Sequence, residues 1–208
     1  MALRLLLLRH GETAWNRERR YQGWTDTDLS ETGRAQAEAV ARFLARQPLA
    51  AVWSSPLRRA RDTALAIADA QGLVVKESPA FIEMGFGEWE GLTTTEVGER
   101  FPDAYRAWRE TPHLAGPSGG EALDGVRRRV LDGLGELRQA HAGQTVGLVA
   151  HGISARVLIL EALGLGLDRL WSVQLSPTGV SELEFRDDWT ALHRMNSLAH
   201  LDTLPTAR

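Results

Sequence analysis

Two histidines in this 208-residue chain stand before a glycine at the end of an apolar run: His10 after residues 3–8 and His151 after Thr145–Ala150. Chance pairing of six histidines with twenty glycines predicts fewer than one His-Gly pair, and their shared placement matters more than their number. An imidazole is a nucleophile or a proton carrier. A glycine beside it removes a side chain where a phosphate oxygen would approach backbone N–H groups. A phosphoryl dianion also needs fixed cations. Arg9 adjoins His10, and Arg58 or Arg59 opens the helix after the second strand. Guanidinium groups offer forked donors and stay charged, and arginines this near would keep His10 neutral until phosphate arrives.

A leaving alkoxide needs a proton donor. Glu12, Glu83, Glu88 and Glu90 lie in glycine-rich loops near the same edge. Spacing does not choose among them, although Glu83, between Ile82 and Met84, is best placed for desolvation. A metal-dependent hydrolase would instead recruit His10, Glu12, Asp26 and His151, but no His-x-x-x-His spacing supports it. The third arginine cluster, Arg127 to Arg129, reads as a solvated helix face.

Such groups act together only if their strands end at one edge. Residues 3–8 make a short apolar strand closed by Arg9-His10-Gly11. Ser30 reads as an N-cap, and Ala37, Val40, Ala41, Phe43 and Leu44 follow at helical spacing. The pattern then predicts strands over 49–53, 73–76 and 145–150 and helices over 57–71, 121–141 and 153–163. Short helices fit 95–101 and 103–110, while 179–185 and 190–195 alternate like an antiparallel pair. This alternation predicts an α/β fold, a three-layer α/β/α sandwich with a mostly parallel central sheet whose ligands sit at the carboxyl ends of the strands. One domain over 1–208 is expected, with a small cap-like helical and loop insertion at about 83–120.

Composition narrows the function. A formal net charge of −3 argues against a nucleic-acid partner. Without cysteine there is no disulfide framework, thiolate metal site or cysteine nucleophile. The longest early apolar run, residues 5–8, falls short of the roughly 7–15 residues of a secretory core or the ~20 of a membrane span. A cytoplasmic protein without a membrane partner is expected, and an exposed edge strand would support a homodimer. Of seven tryptophans, Trp53 and Trp171 are expected in the core. Trp24, Trp89 and Trp108 fall in loops or the insertion, where they would shape substrate choice. His113, His141, His193 and His200 are expected as surface or packing residues, and 197–208 shows no periodicity.

Five ordered blocks carry a resemblance: Leu8-Arg9-His10-Gly11-Glu12-Thr13 continuing through Asn16 and Gln22-Gly23 to Ala37; Ser54 to Ala64; Glu83 to Gly91; Gly119-Gly120-Glu121; and Val149-Ala150-His151-Gly152. Together they resemble the histidine phosphatase superfamily, which includes cofactor-dependent phosphoglycerate mutases. The resemblance implies a phosphoglycerate mutase-like fold and His10 as the phosphorylated nucleophile. Arg9, Arg59 and a protonated His151 would form its phosphate pocket; Arg59, directly before Ala60, fits the motif better than Arg58. Glu83 would be the general acid. Asn16, Gln22 and Gly23 would touch phosphate or substrate, with Gly152 beside His151. No cofactor and no metal are implied.

The implied activity is hydrolysis of a small phosphorylated metabolite, a phosphate monoester, through phosphohistidine. The alternative is a phosphoglycerate mutase, which carries longer insertions and consecutive arginines after a tryptophan that clamp the glycerate carboxylate. Here Trp108-Arg109 is followed by Glu110, and residues 101–108 look more like short-chain phosphatases, including those acting on α-ribazole phosphate. A non-catalytic phosphate-binding relative should lack one of His10, Arg59, Glu83 or His151, and all four are present.

Overall fold

The computed structural model describes residues 2–202. Four strands run parallel: β1 (Leu3–Arg9), β2 (Ala51–Ser54), β3 (Val75–Glu77) and β4 (Thr145–Ala150). β5 (Val180–Phe185) pairs antiparallel with β1, and β6 (Thr190–Ser197) antiparallel with β5, giving the order β3-β2-β4-β1-β5-β6. The mostly parallel sheet and the antiparallel pair match the expectation from sequence.

β1 reads as an apolar run because both of its faces are covered. Leu3, Leu5 and Leu7 join one buried cluster, and Leu6 and Leu8 join the other. On the first face lie α6 (Leu123–Ala140) and α7 (Gly152–Ala162); on the second lie α2 (Glu31–Leu44) and α3 (Arg58–Asp69). The result is the three-layer α/β/α arrangement. Ser30 caps α2 through its Oγ, which accepts from Gly33 N at 3.0 Å. α6 starts two residues later than the periodicity suggested, because Glu121 is held outside it: its N–H donates to Gly85 O at 2.8 Å.

A short helix, α1 (Ala14–Arg17), follows β1 and has no counterpart in the sequence reading. Within 83–120 lie α4 (Thr94–Arg100), opened by a Thr93–Glu96 capping box, and α5 (Pro102–Glu110), with proline at its first position. Trp89 and Trp108 are fully buried there, edge to face with ring centroids 6.5 Å apart, and Tyr21 and Phe86 complete the cluster. They are core, not the substrate-facing residues expected. Their burial follows from the need of two short helices for an apolar anchor of their own. His141 and His200 are packing residues, and His113 and His193 are exposed. A single 3₁₀ turn, Ala199–Leu201, occupies the tail, whose residues 203–208 lie outside those described. No helix among the described residues is long and apolar enough to cross a membrane.

Candidate active site

The parallel register pairs Arg9 with Ala150 and Ser54 with Val149. His10, Ser55 and His151 therefore leave the sheet along one line. His10 is 2% exposed, and its ring lies 5.1 Å from that of His151, tilted by 56°. His10 Nδ1 sits 2.7 Å from Gly11 O. A carbonyl only accepts, so Nδ1 carries the hydrogen and, in the neutral ring, Nε2 carries the lone pair. Burial first, then Arg59 and Arg9, hold His10 well below the ordinary 6.5. The ring is neutral near pH 7.

His151 is fully buried and bonds Ser55 Oγ through Nε2 at 2.8 Å, while its Nδ1 has no protein partner. Burial, then Arg59, His10 and Arg9, push it well below its ordinary value. Facing arginines rather than a carboxylate, it is held toward the neutral form while no anion is bound, whereas the resemblance implied a protonated ring during the reaction. With the Ser55 hydroxyl donating to Nε2, Nδ1–H remains as a donor.

Arg9 Nη1 donates to Leu175 O (2.9 Å); Arg59 Nη1 and Nη2 donate to Thr25 O (2.9 Å) and Gly23 O (2.8 Å). The Nε of each is buried without a protein partner. Arg59 is fully buried, and desolvation pulls it down to about 10. Guanidiniums held by carbonyls in a desolvated site favour an anionic ligand. Arg58, one step round α3, turns instead to Asp26 and Asp28 (3.1 and 2.9 Å).

Glu83 Oε1 accepts from Met84 N (2.9 Å), Ile153 N (3.1 Å) and Ser154 N (3.4 Å), which seats the carboxylate on the first turn of α7. Oε2 is the oxygen nearer the open side of Gly152, 3.5 Å from where a Cβ would stand. The other acidic candidates have different work. Glu90 accepts from Trp24 N, Phe86 N, Thr25 N and Thr25 Oγ1, bracing the 22–25 loop against the acid loop. Glu12 accepts from Ser30 Oγ, and Glu88 is exposed.

A cavity of about 250 Å³ brings together Arg9, His10, Asn16, Gln22, Gly23, Arg59, Glu83 and Gly152. His151 packs against His10, ring centroid to ring centroid 5.1 Å, with its Nδ1 unpartnered. Gln22 Oε1 accepts from Thr27 Oγ1 (2.7 Å), which leaves Nε2 as its donor, and Asn16 closes a capping box with Thr13. Gly23 is left-handed (φ 54°), and a Cβ there would clash with Glu90. The metal alternative finds no frame: Asp26 is tied to Arg58, Glu12 to Ser30. No group of three or more metal-ligating side chains is assembled among the described residues.

Sequence reasoning missed several parts. Arg129 is no solvated residue: it donates to Ala80 O, Ile82 O and Glu83 O and forks onto Glu121 (2.8 Å to each oxygen), fixing the acid loop. Trp171, expected in the core, is only partly buried and lines the cavity with Arg19, Arg109 and Arg156. One signal was available: Arg156 is four residues after Gly152, so a helix puts both on one face. Trp24 is 54% exposed, yet its Nε1 donates to Glu83 O (2.8 Å), so it too positions the acid loop.

A family model of the histidine phosphatase superfamily (branch 1) matches residues 5–198. Phosphoserine phosphatase 1 of Hydrogenobacter thermophilus is 38% identical over 199 residues, covering 96% of this chain and 94% of the relative. Among solved structures, YhfR of Bacillus stearothermophilus superposes with a TM-score of 0.90 at 32% identity, over 96% of this chain and 99% of that one. The α-ribazole phosphatase of Shigella flexneri gives 0.84 at 28% identity, over 93% and 96%. The chain belongs to the histidine phosphatase superfamily.

Proposed function

We propose that this protein hydrolyses small phosphate monoesters through a phosphohistidine on His10, with Glu83 as general acid and then general base. The observation that carries this reading is the pairing of His10 Nδ1–H with Gly11 O, which leaves Nε2 as a lone pair beside the unpaired Nε groups of Arg9 and Arg59. Nε2 attacks phosphorus in line as the ester P–O bond breaks, and Glu83 Oε2–H gives its proton to the departing alkoxide. Water then loses a proton to Glu83 and its oxygen attacks phosphorus; the P–N bond breaks and inorganic phosphate leaves. Arg9, Arg59 and the Nδ1–H of His151 hold the equatorial oxygens, and each such donor is worth on the order of 10²–10³ in rate. The segment 83–120 closes over the site as a small cap.

The test is phosphate release from a panel of monoesters in EDTA, by wild type and His10→Ala, with mutase activity assayed in parallel. EDTA-resistant release that His10→Ala abolishes supports the proposal. Fast, primer-dependent exchange of 2- and 3-phosphoglycerate with little hydrolysis would replace it with the mutase alternative.

A further inference from the structure

Three non-glycine residues among those described have a left-handed backbone. Two of them, Thr178 (φ 55°) and Asn196 (φ 48°), belong to one hydrogen-bonded unit next to Arg9. Residues 176–179 form a turn closed by Gly179 N to Ser176 O (3.0 Å), with Pro177 second and Thr178 third. A positive φ at the third position suits glycine or asparagine, and a β-branched residue held there is strained. Thr178 is fully buried, and both its backbone and its side chain are engaged. Its N–H donates to Arg9 O (2.9 Å) and, at 3.4 Å, to His10 O. Its hydroxyl gives its one hydrogen to Pro177 O (2.8 Å), so His200 Nε2, at 2.9 Å, is the donor to Oγ1.

Asn196 grips the same turn from β6. Its Oδ1 accepts from Ser176 N (2.8 Å), its Nδ2 donates to Ser176 Oγ (3.2 Å), and its N–H donates to Ser181 Oγ (3.0 Å). A Cβ on Gly179 would collide with the Asn196 amide. The β5–β6 ladder passes from Val180–Ser197 to Glu182–Arg194, so Met195 and Asn196 stand against Ser181 alone. Such a bulge re-aims a side chain, here onto the turn. What the turn holds is Arg9. Leu175 O, one residue before it, accepts from Arg9 Nη1 (2.9 Å), while Thr178 N holds the Arg9 carbonyl. Strain of this kind persists where the surroundings over-determine it, and Asn196 and His200 do so here. We propose that Asn196 and Thr178 are positioning residues: through this turn they aim the unpaired Nε of Arg9 at the phosphoryl group on His10. The role rests on the phosphatase reading above. It gives β6 and the Ala199–Leu201 turn, which carry none of the motif blocks, a part in the chemistry.

Asn196→Gly and Thr178→Gly keep the left-handed backbone and remove the side-chain ties, whereas Thr178→Ser keeps the hydroxyl. For each, kcat and KM on a hydrolysed monoester and inhibition by orthovanadate, a mimic of the transition state, are measured. Circular dichroism checks folding. Each glycine variant is expected to lose about ten-fold in kcat and in vanadate affinity, with KM changed by less than about three-fold. Thr178→Ser is expected to stay within about three-fold of wild type in all three. Thr178→Gly relieves strain, so it folds even if Asn196→Gly does not. In an Arg9→Gln background either glycine substitution is expected to change kcat/KM by no more than about two-fold, because the side chain it aims is gone. A folded glycine variant with wild-type kcat and vanadate affinity overturns the proposal. So does a Thr178→Ser as impaired as Thr178→Gly, or an effect that persists in full without the Arg9 side chain. If wild type hydrolyses no ester, the phosphatase reading fails and calorimetric titration with orthovanadate decides the positioning role. Equal affinity in wild type and both glycine variants, or binding to none, overturns it.

Discussion

At Arg59 a single side chain joins the 22–25 loop to the reacting centre. Two of its nitrogens hold the carbonyls of Gly23 and Thr25, and the third is buried and unpaired. A lysine offers one ammonium and no fork, so it cannot hold both carbonyls and still face a phosphate. Arg59→Lys is expected to lower kcat/KM by about 10²–10³ while the charge is conserved. Steady-state kinetics on any turned-over monoester checks this, and a loss under three-fold would show that charge alone suffices. His10 shows the same economy of atoms. Its Nδ1 is committed to Gly11 O, so only Nε2 is left to react.

Elements set the acid loop. Arg129 on α6 reaches the carbonyls of Ala80, Ile82 and Glu83 and is itself oriented by Glu121, so a helix on one face of the sheet fixes where Glu83 stands. Arg129→Met strands those carbonyls and the Glu121 carboxylate. A loss of roughly 1–3 kcal/mol in urea unfolding is expected, with a fall in kcat larger than any rise in KM. Unchanged kcat in a folded variant would place the control of Glu83 elsewhere, in Trp24 or in the first turn of α7. On the opposite face, Ser30→Ala removes the α2 cap and is expected to cost about 1 kcal/mol. That loss is read from the same unfolding curves, and α2 bears on the second apolar cluster rather than on the cavity.

For the molecule as a whole, buried neutral histidines make stability depend on pH. His10 and His151 are pushed well below 6.5, and His200 is lowered by burial. The unfolded chain binds protons at these residues near 6.5, while the folded protein does not until the pH is lower. Their contribution is therefore fully present above about pH 6.5 and is lost as pH falls toward the folded values. Urea midpoints between pH 7.5 and 5 are expected to fall with decreasing pH, and less steeply in His10→Asn. A midpoint that rises on acidification would contradict neutral burial of these rings.

Local pattern was enough for much of this molecule. Apolar runs closed by glycine and helical repeats capped by Ser30 gave the strands, the helices and the parallel sheet, because burial periodicity is written residue by residue. The motif blocks, through the family they resemble, also named residues that line the cavity with His10: Arg9, Asn16, Gln22, Gly23, Arg59, Glu83 and Gly152. Tertiary structure decided the rest. The neutral state of His151 depends on arginines from other elements, and the support of Glu83 by Arg129 spans 46 residues. The burial of Trp89 and Trp108, and the exposure of Trp171 to the cavity, depend on how α4 and α5 fold back on the sheet edge. Sequence periodicity records which face of an element is buried. Charge, protonation and orientation in a site are set by neighbours that only the folded chain brings within a few ångströms.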